Sequence, residues 1–203
     1  MREVLYEESA VLQNQKSGNT KYYIFYTLSI LMFFFFGFQI FLLLFFTRIP
    51  EIEKGNIVLN IISLLVPIAL SLTLAIVFLN LKNRFVVDYD YIFVSGSIRV
   101  SKVIKNFKRK FVIKFETSNI EKLGLYDSET YNQYLKVPGI KKTILTLNST
   151  PEEGKDFYYM VVNVNDTKNL LIFECKELFI VNVLQFSNKA IIEPDFAKNH
   201  KKS

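Results

Sequence analysis

A chain of 203 residues with formal net charge +6, one Cys and one His has room for a membrane segment and about one ordinary domain. The lone Cys175 excludes an intramolecular disulfide framework and fits a reducing compartment. The lone His200, in a polar tail, leaves almost no material for a zinc site or His-based catalysis.

Between Lys21 and Arg48 there is no charged residue, and Phe, Leu and Ile dominate the run. A helix rises 1.5 Å per residue, so about 20 apolar residues cross the hydrocarbon core. Tyr22 to Thr47 exceeds that length and spans with tilt; Gln39 is its one strongly polar group. The run is too long for a signal peptide, and no small-x-small cleavage site follows it. A second uncharged run reaches from Gly55 to Leu81 and contains Pro67, which lipid-embedded helices tolerate. Neither run carries the polar stripe of a soluble amphipathic helix. The connector Arg48–Asn56 is short, so the helices are antiparallel neighbours. It supplies Arg48 and Lys54, whereas Lys16, Lys21, Lys82 and Arg84 flank the other ends. Positive-inside bias therefore predicts both termini in the cytoplasm. The sequons at Asn148 and Asn165 are read as chance in an Asn-rich chain. Ser63, Pro67, Ser71 and Ala75 recur every four residues and form a small-residue stripe suited to close helix approach, with Gly37 and Ser29 as counterparts on the first helix.

From Lys82 the pattern changes to short β-rich runs. Arg84–Val94 alternates in part, Ser95-Gly96-Ser97 is a tight turn, and Ile98–Val103 is the return strand. After a turn at Lys105-Asn106, Phe107, Phe111, Ile113 and Phe115 share one parity, and Lys108, Lys110 and Lys114 the other. That spacing predicts a third strand with one solvated face. Ser118-x-x-Glu121 offers a capping box, although Ile120–Leu125 reads equally as a short strand. A short helix over 127–136, strands over 140–147, 157–164 and 169–174, and a closing helix over 176–188 follow. These elements predict a small β-barrel or orthogonal sandwich closed by a helix.

The stretch from Tyr91 to Lys102, then Arg109-Lys110, then Ile120-Glu-Lys-Leu123 resembles the opening of bacterial pleckstrin-homology-like (PH-like) domains. The preceding hairpin is similar to their membrane-fused arrangement. The resemblance implies a seven-stranded barrel capped by a C-terminal helix and no enzymatic activity. Phosphoinositide-binding members carry basic residues across the first strand-turn-strand. Here that turn is Ser95-Gly96-Ser97, so inositol-lipid binding is not carried over.

The expected organisation is an N-terminal cytoplasmic segment (1–21), a transmembrane helix (22–47), a short extracytoplasmic loop (48–56), a second transmembrane helix (57–81), a cytoplasmic PH-like domain (82–190) and a polar tail (191–203). Lys102, Lys105, Lys108, Arg109, Lys110 and Lys114 form the densest charge cluster. A solvated face explains them most simply; near a bilayer they would also attract anionic lipid or meet a protein partner. No aromatic platform or nucleic-acid motif accompanies them, which disfavours nucleic acid. Tyr126, Tyr131 and Tyr134 read as packing against the barrel, Cys175 as a buried inert thiol, and Asp88 with Asp90 as a solvated face. No Gly-rich phosphate loop, Cys-x-x-Cys or His-x-x-x-His occurs, so no catalytic, metal or cofactor residue is assigned. The expected role is a membrane-anchored, noncatalytic interaction module at the cytoplasmic leaflet. The alternative is a small accessory or scaffold subunit of a larger membrane complex, assembled through its helices.

Overall fold

The computed structural model describes residues 4–45, 57–105, 107–187 and 191–193. It divides into a helical unit, residues 14–86, and a second unit built from the chain before Asn14 and from Val87 onward.

The helical unit contains α1 (Gln15–Phe45) and α2 (Ile57–Leu81). At 1.5 Å per residue α1 is about 46 Å long, more than a hydrocarbon core needs. It starts seven residues before the apolar run that marks it in the sequence, because a cap sets its start. The Asn14 side chain accepts from the Ser17 amide at 3.0 Å, satisfying a first-turn donor that has no helical partner. The bounds of α2 are those of the expected second helix. Both helices are long and apolar enough to cross a bilayer, and only 6% and 11% of their most apolar windows are buried. A soluble core helix would be buried instead. The expected loop 48–56 lies outside the described residues.

The second unit is mainly β. β1 (Leu5–Ala10), β2 (Val87–Val94), β3 (Ser97–Ile104) and β4 (Lys108–Glu116) form one antiparallel sheet in that order. β5 (Ile120–Leu125) opens the second sheet. α3 (Glu129–Leu135) and β6 (Lys141–Ile144) follow, then β7 (Asp156–Val164), β8 (Thr167–Cys175) and the closing α4 (Glu177–Gln185). The strand order there is β5-β7-β8-β6, with β6 parallel to β8. The two-residue hairpin turns are made by Ser95-Gly96 and Asn165-Asp166, all four at positive φ, the conformation that follows strand twist.

Three expectations are corrected. The seven-stranded barrel is two open four-stranded sheets. Its missing strand, Leu5–Ala10, was assigned to an N-terminal segment outside the domain, which was expected to begin at residue 82. β1 pairs with β2 from Leu5↔Val94 to Ala10↔Tyr89, so the β unit is assembled from both sides of the hairpin. As an edge strand of sequence Leu-Tyr-Glu-Glu-Ser-Ala, β1 has almost no alternation by which to be seen. The polar tail also starts too early: Ile191 and Glu193 are buried, and Ile192 bridges Leu123. Gly124 makes room for them, since a Cβ there would lie 2.0 Å from Glu193 Oε2. The Ser118–Glu121 ambiguity resolves to a strand, β5, after a single 3₁₀ turn at Thr117–Asn119.

The core lies between the sheets. Tyr91, Phe93, Ile98, Val100 and Phe115 meet Leu123, Met160, Val162, Leu171 and Phe173, with Phe179, Ile180 and Val183 of α4 packed against them. The opposite parity of β7 and β8 builds a smaller cluster, in which Tyr159, Val161, Leu170 and Ile172 pack with Tyr131 of α3. β8 is therefore covered on both faces, which explains its unbroken apolar run.

A fragment starting at Lys82 lacks β1 and should not unfold cooperatively in denaturant. Residues 4–13 joined by a short Gly/Ser linker to residues 87–193 should give a soluble domain with one sharp transition. Equal cooperativity of the two would show β1 to be dispensable.

Candidate functional site

The basic cluster occupies the β3–β4 hairpin. Lys105 turns the chain at φ 50°; Lys108, Arg109, Lys110 and Lys114 are exposed, and Lys102 is half-buried. Asn106 lies outside the described residues. The expected common face of Lys108, Lys110 and Lys114 is not observed. The register shifts between Val100 and Ser101, where Phe111 pairs with Ser101 and Ile113 with Val100. One residue, Val112, is thus extra, and a bulge of this kind changes which face each following side chain takes. Lys110 pairs with Lys102 and Lys108 with Ile104, whereas Lys114 pairs with Arg99 on the opposite face. The same shift removes Phe111 from the core side expected for it. Phe111 is 61% exposed and Phe107 88%, while Phe115 remains buried. Arg99 lies over the Phe111 ring at 5.8 Å, and Arg109 reaches Asp90 at 3.3 Å. The hairpin thus presents exposed aromatic rings among cations. The parity count missed this because it carried an unbroken alternation through the bulge.

The two aspartates have a structural use. Asp88 Oδ1 accepts from the Leu12 amide at 2.8 Å, and Asp90 Oδ1 accepts from Ser9 Oγ at 2.7 Å. Both therefore hold the segment that leads into α1. A second anchor is Asn148. Its amide nitrogen donates to Val11 O at 2.8 Å and to the Glu174 carboxylate, while its Oδ1 accepts from the Gln13 amide at 3.0 Å. Glu174 is fully buried and also accepts from Thr146 Oγ1 and from the Glu152 amide at 3.0 Å. Such donors are what makes a buried carboxylate tolerable. No sequence signal marks Glu174, because its partners come from a loop distant in the chain.

Below this network lies a cavity of about 330 Å³ lined by Tyr6, Glu7, Glu8, Ser9, Lys155 and Lys176, among others. Lys155 Nζ donates to Ser9 O and to Glu152, each at 2.7 Å. Glu8 accepts from the Lys176 amide at 2.9 Å and from the Tyr6 hydroxyl at 3.2 Å. Burial, then the Glu8 charge, pushes the Tyr6 phenol up to about 12. Burial likewise raises the Glu8 carboxyl, against the opposing pull of the Lys176 amide and Lys155. Cys175 is fully buried, and burial pushes its thiol well above the ordinary value, opposite to an activated nucleophile. Tyr131 is packed against Tyr126 and Tyr159. Among the described residues no three His, Cys, Asp or Glu are placed to hold a metal ion; His200 lies outside them.

Of the helix-packing candidates, Ser71 and Ala75 are buried, and Ala75 O accepts from Ser29 Oγ at 3.1 Å. Ser63 and Pro67 are exposed. Gly37 faces open space, with nothing within 4 Å of a Cβ built on it. Of the two counterparts on α1, Ser29, eight residues before Gly37, is the one that bonds the stripe, at Ala75.

Over residues 4–193 the chain matches the family described as bacterial PH-like domain (DUF6106), and it belongs to that family. The match takes in β1, the helical hairpin and the docked Ile191–Glu193 segment together. No curated protein and no solved structure matches the chain.

Asn148→Ala deprives Glu174 of a donor and frees Val11 O. Hydrogen bonds to charged groups are worth about 1.5–3 kcal/mol, so the unfolding free energy should fall by that order, read as a lower denaturation midpoint with an unchanged slope. The Glu8 pKa is higher folded than unfolded, so the native state binds this proton more tightly. Its contribution is present in acid and is lost as pH rises through the folded value. Glu8→Gln keeps an acceptor for the Lys176 amide, and its melting temperature should decline less than the parent's from mildly acidic to neutral pH. Parallel declines would show that Glu8 does not carry this dependence.

Proposed function

We propose, from membership of this PH-like family and from the way the chain is threaded, that the protein is a membrane-anchored, noncatalytic interaction module at the cytoplasmic leaflet. The observation that carries the reading is the β1–β2 pairing across the inserted hairpin. Paired strands lie on one side of any membrane, so a hairpin that crosses must cross twice. Lys16, Lys21, Lys82 and Arg84 flank its paired ends, and that bias supports the cytoplasmic side. The engaged side-chain nitrogen of Asn148 fits a sequon that carries no glycan.

Cys175 is buried, and Asp88 and Asp90 are bound to the N-terminal segment, so these three side chains have structural uses. What it offers outward is the basic, aromatic β3–β4 hairpin. A tethered domain needs only modest affinity for a surface partner, because the anchor supplies a high effective concentration.

The buried Cys175 leaves a quiet background for thiol labelling. In intact cells a cysteine at Asn56 should react with an impermeant maleimide, and one at the exposed Glu153 should react only after permeabilisation. The reverse pattern would refute the cytoplasmic assignment. Crosslinking of the full chain should capture a complex that is lost when residues 87–203 are removed. A complex that survives this deletion would favour a subunit held through its helices.

A further inference from the structure

The register of the first sheet fixes where its basic hairpin turns. Val87 pairs with Ile104, which pairs with Lys108, and Ala10 pairs with Tyr89 two residues along. The β3–β4 turn is therefore at the same end of the sheet as Ala10 and Val87, where the chain leaves for the hairpin and returns from it. Only Val11–Asn14 lie between β1 and α1, and Lys82–Val86 between α2 and β2. This end of the sheet is the one tied to the apolar helices.

Resting on the proposed function, we propose that the β3–β4 turn inserts into the anionic leaflet of the same bilayer, with Phe107 entering the interface and Lys105, Lys108 and Lys110 meeting lipid phosphates. Phe107 is 88% exposed at the turn, an apolar ring that water does not favour. No Asp or Glu occurs between Asp90 and Glu116, so the hairpin itself contributes cations and no carboxylate. The outer face of the sheet is different. There Asp88 pairs in register with Val103 and Asp90 with Ser101, and Arg109 is bound to Asp90. Those carboxylates oppose flat docking on an anionic surface, so the approach is by the tip. Attraction to anionic headgroups acts within a Debye length, ~8 Å at physiological salt. The Phe107 ring adds an apolar contact that salt does not screen.

The chain contains no Trp, so Phe107→Trp provides a single fluorescent reporter in the full-length protein. It is reconstituted into nanodiscs of phosphatidylcholine, or of phosphatidylcholine mixed with phosphatidylglycerol, each with and without brominated acyl chains. In the anionic discs the emission should be blue-shifted and quenched by the brominated chains. Both effects should be lost when Lys108→Glu and Lys110→Glu are added, with unchanged cooperative melting. A separate Leu178→Trp chain, with its reporter exposed on α4, should respond to neither lipid. Solvent-like, unquenched emission of Phe107→Trp in both discs would overturn the proposal, and a blue shift appearing only with an added soluble protein would assign the turn to a protein partner instead. Equal quenching in neutral and anionic discs would overturn the role of the lysines. A chain that stays in the discs while its reporter stays in water leaves the proposed function standing, whereas a chain that does not enter them overturns both.

Discussion

The constraint on which the β unit depends is the pairing of β1 with β2 across an inserted helical hairpin. Six residues at one end of the chain complete a sheet whose other strands begin at Val87. Closing so long a loop would cost entropy, but that cost grows slowly with length, and two antiparallel helices already return the chain near its start. The pairing also covers β2: without β1, the backbone donors and acceptors of β2 would be open to other chains. Hydrogen bonds from Asp88, Asp90 and Asn148 to the segment Ser9–Gln13 hold β1 and its exit against that sheet.

A second dependence runs through Glu174. An ionised carboxylate in a core is costly unless donors surround it, and here Thr146, Asn148 and the Glu152 amide converge on it. Asn148 passes this anchoring on to Val11 and Gln13. The loop after β6, which has little regular structure of its own, is therefore ordered by a buried, multiply bonded side chain, and it in turn orders the chain leading into α1. The hydrophobic core gives the domain its stability; this polar network decides how the N-terminal segment joins it.

The bulge in β4 has the largest effect on the outward surface. Without it Phe111 would follow Phe115 inward and the lysines would form one uniform face. With it, the core side keeps Ile113 and Phe115, and the exposed part of the hairpin becomes a mixture of rings and cations.

Sequence alone determined the features that rest on local, periodic signals. The two uncharged runs, the tight turn at Ser95-Gly96, the closing helix expected over 176–188 and found at Glu177–Gln185, and the β-rich character after the second run were all legible, because span length, turn chemistry and alternation are properties of neighbouring residues. The start of α1 was missed by seven residues because a single Asn14 side chain sets it. Tertiary structure decided the rest. β1 is an edge strand with little burial, so its place depends on a partner some eighty positions away, at Tyr89–Val94. The parallel pairing of β6 with β8 and the convergence of donors on Glu174 are likewise long-range. The bulge that exposes Phe111 shows only in the register of β4 against β3. Long-range pairing leaves no period in the sequence, and for that reason only the fold could show which residues face the core and which face outward.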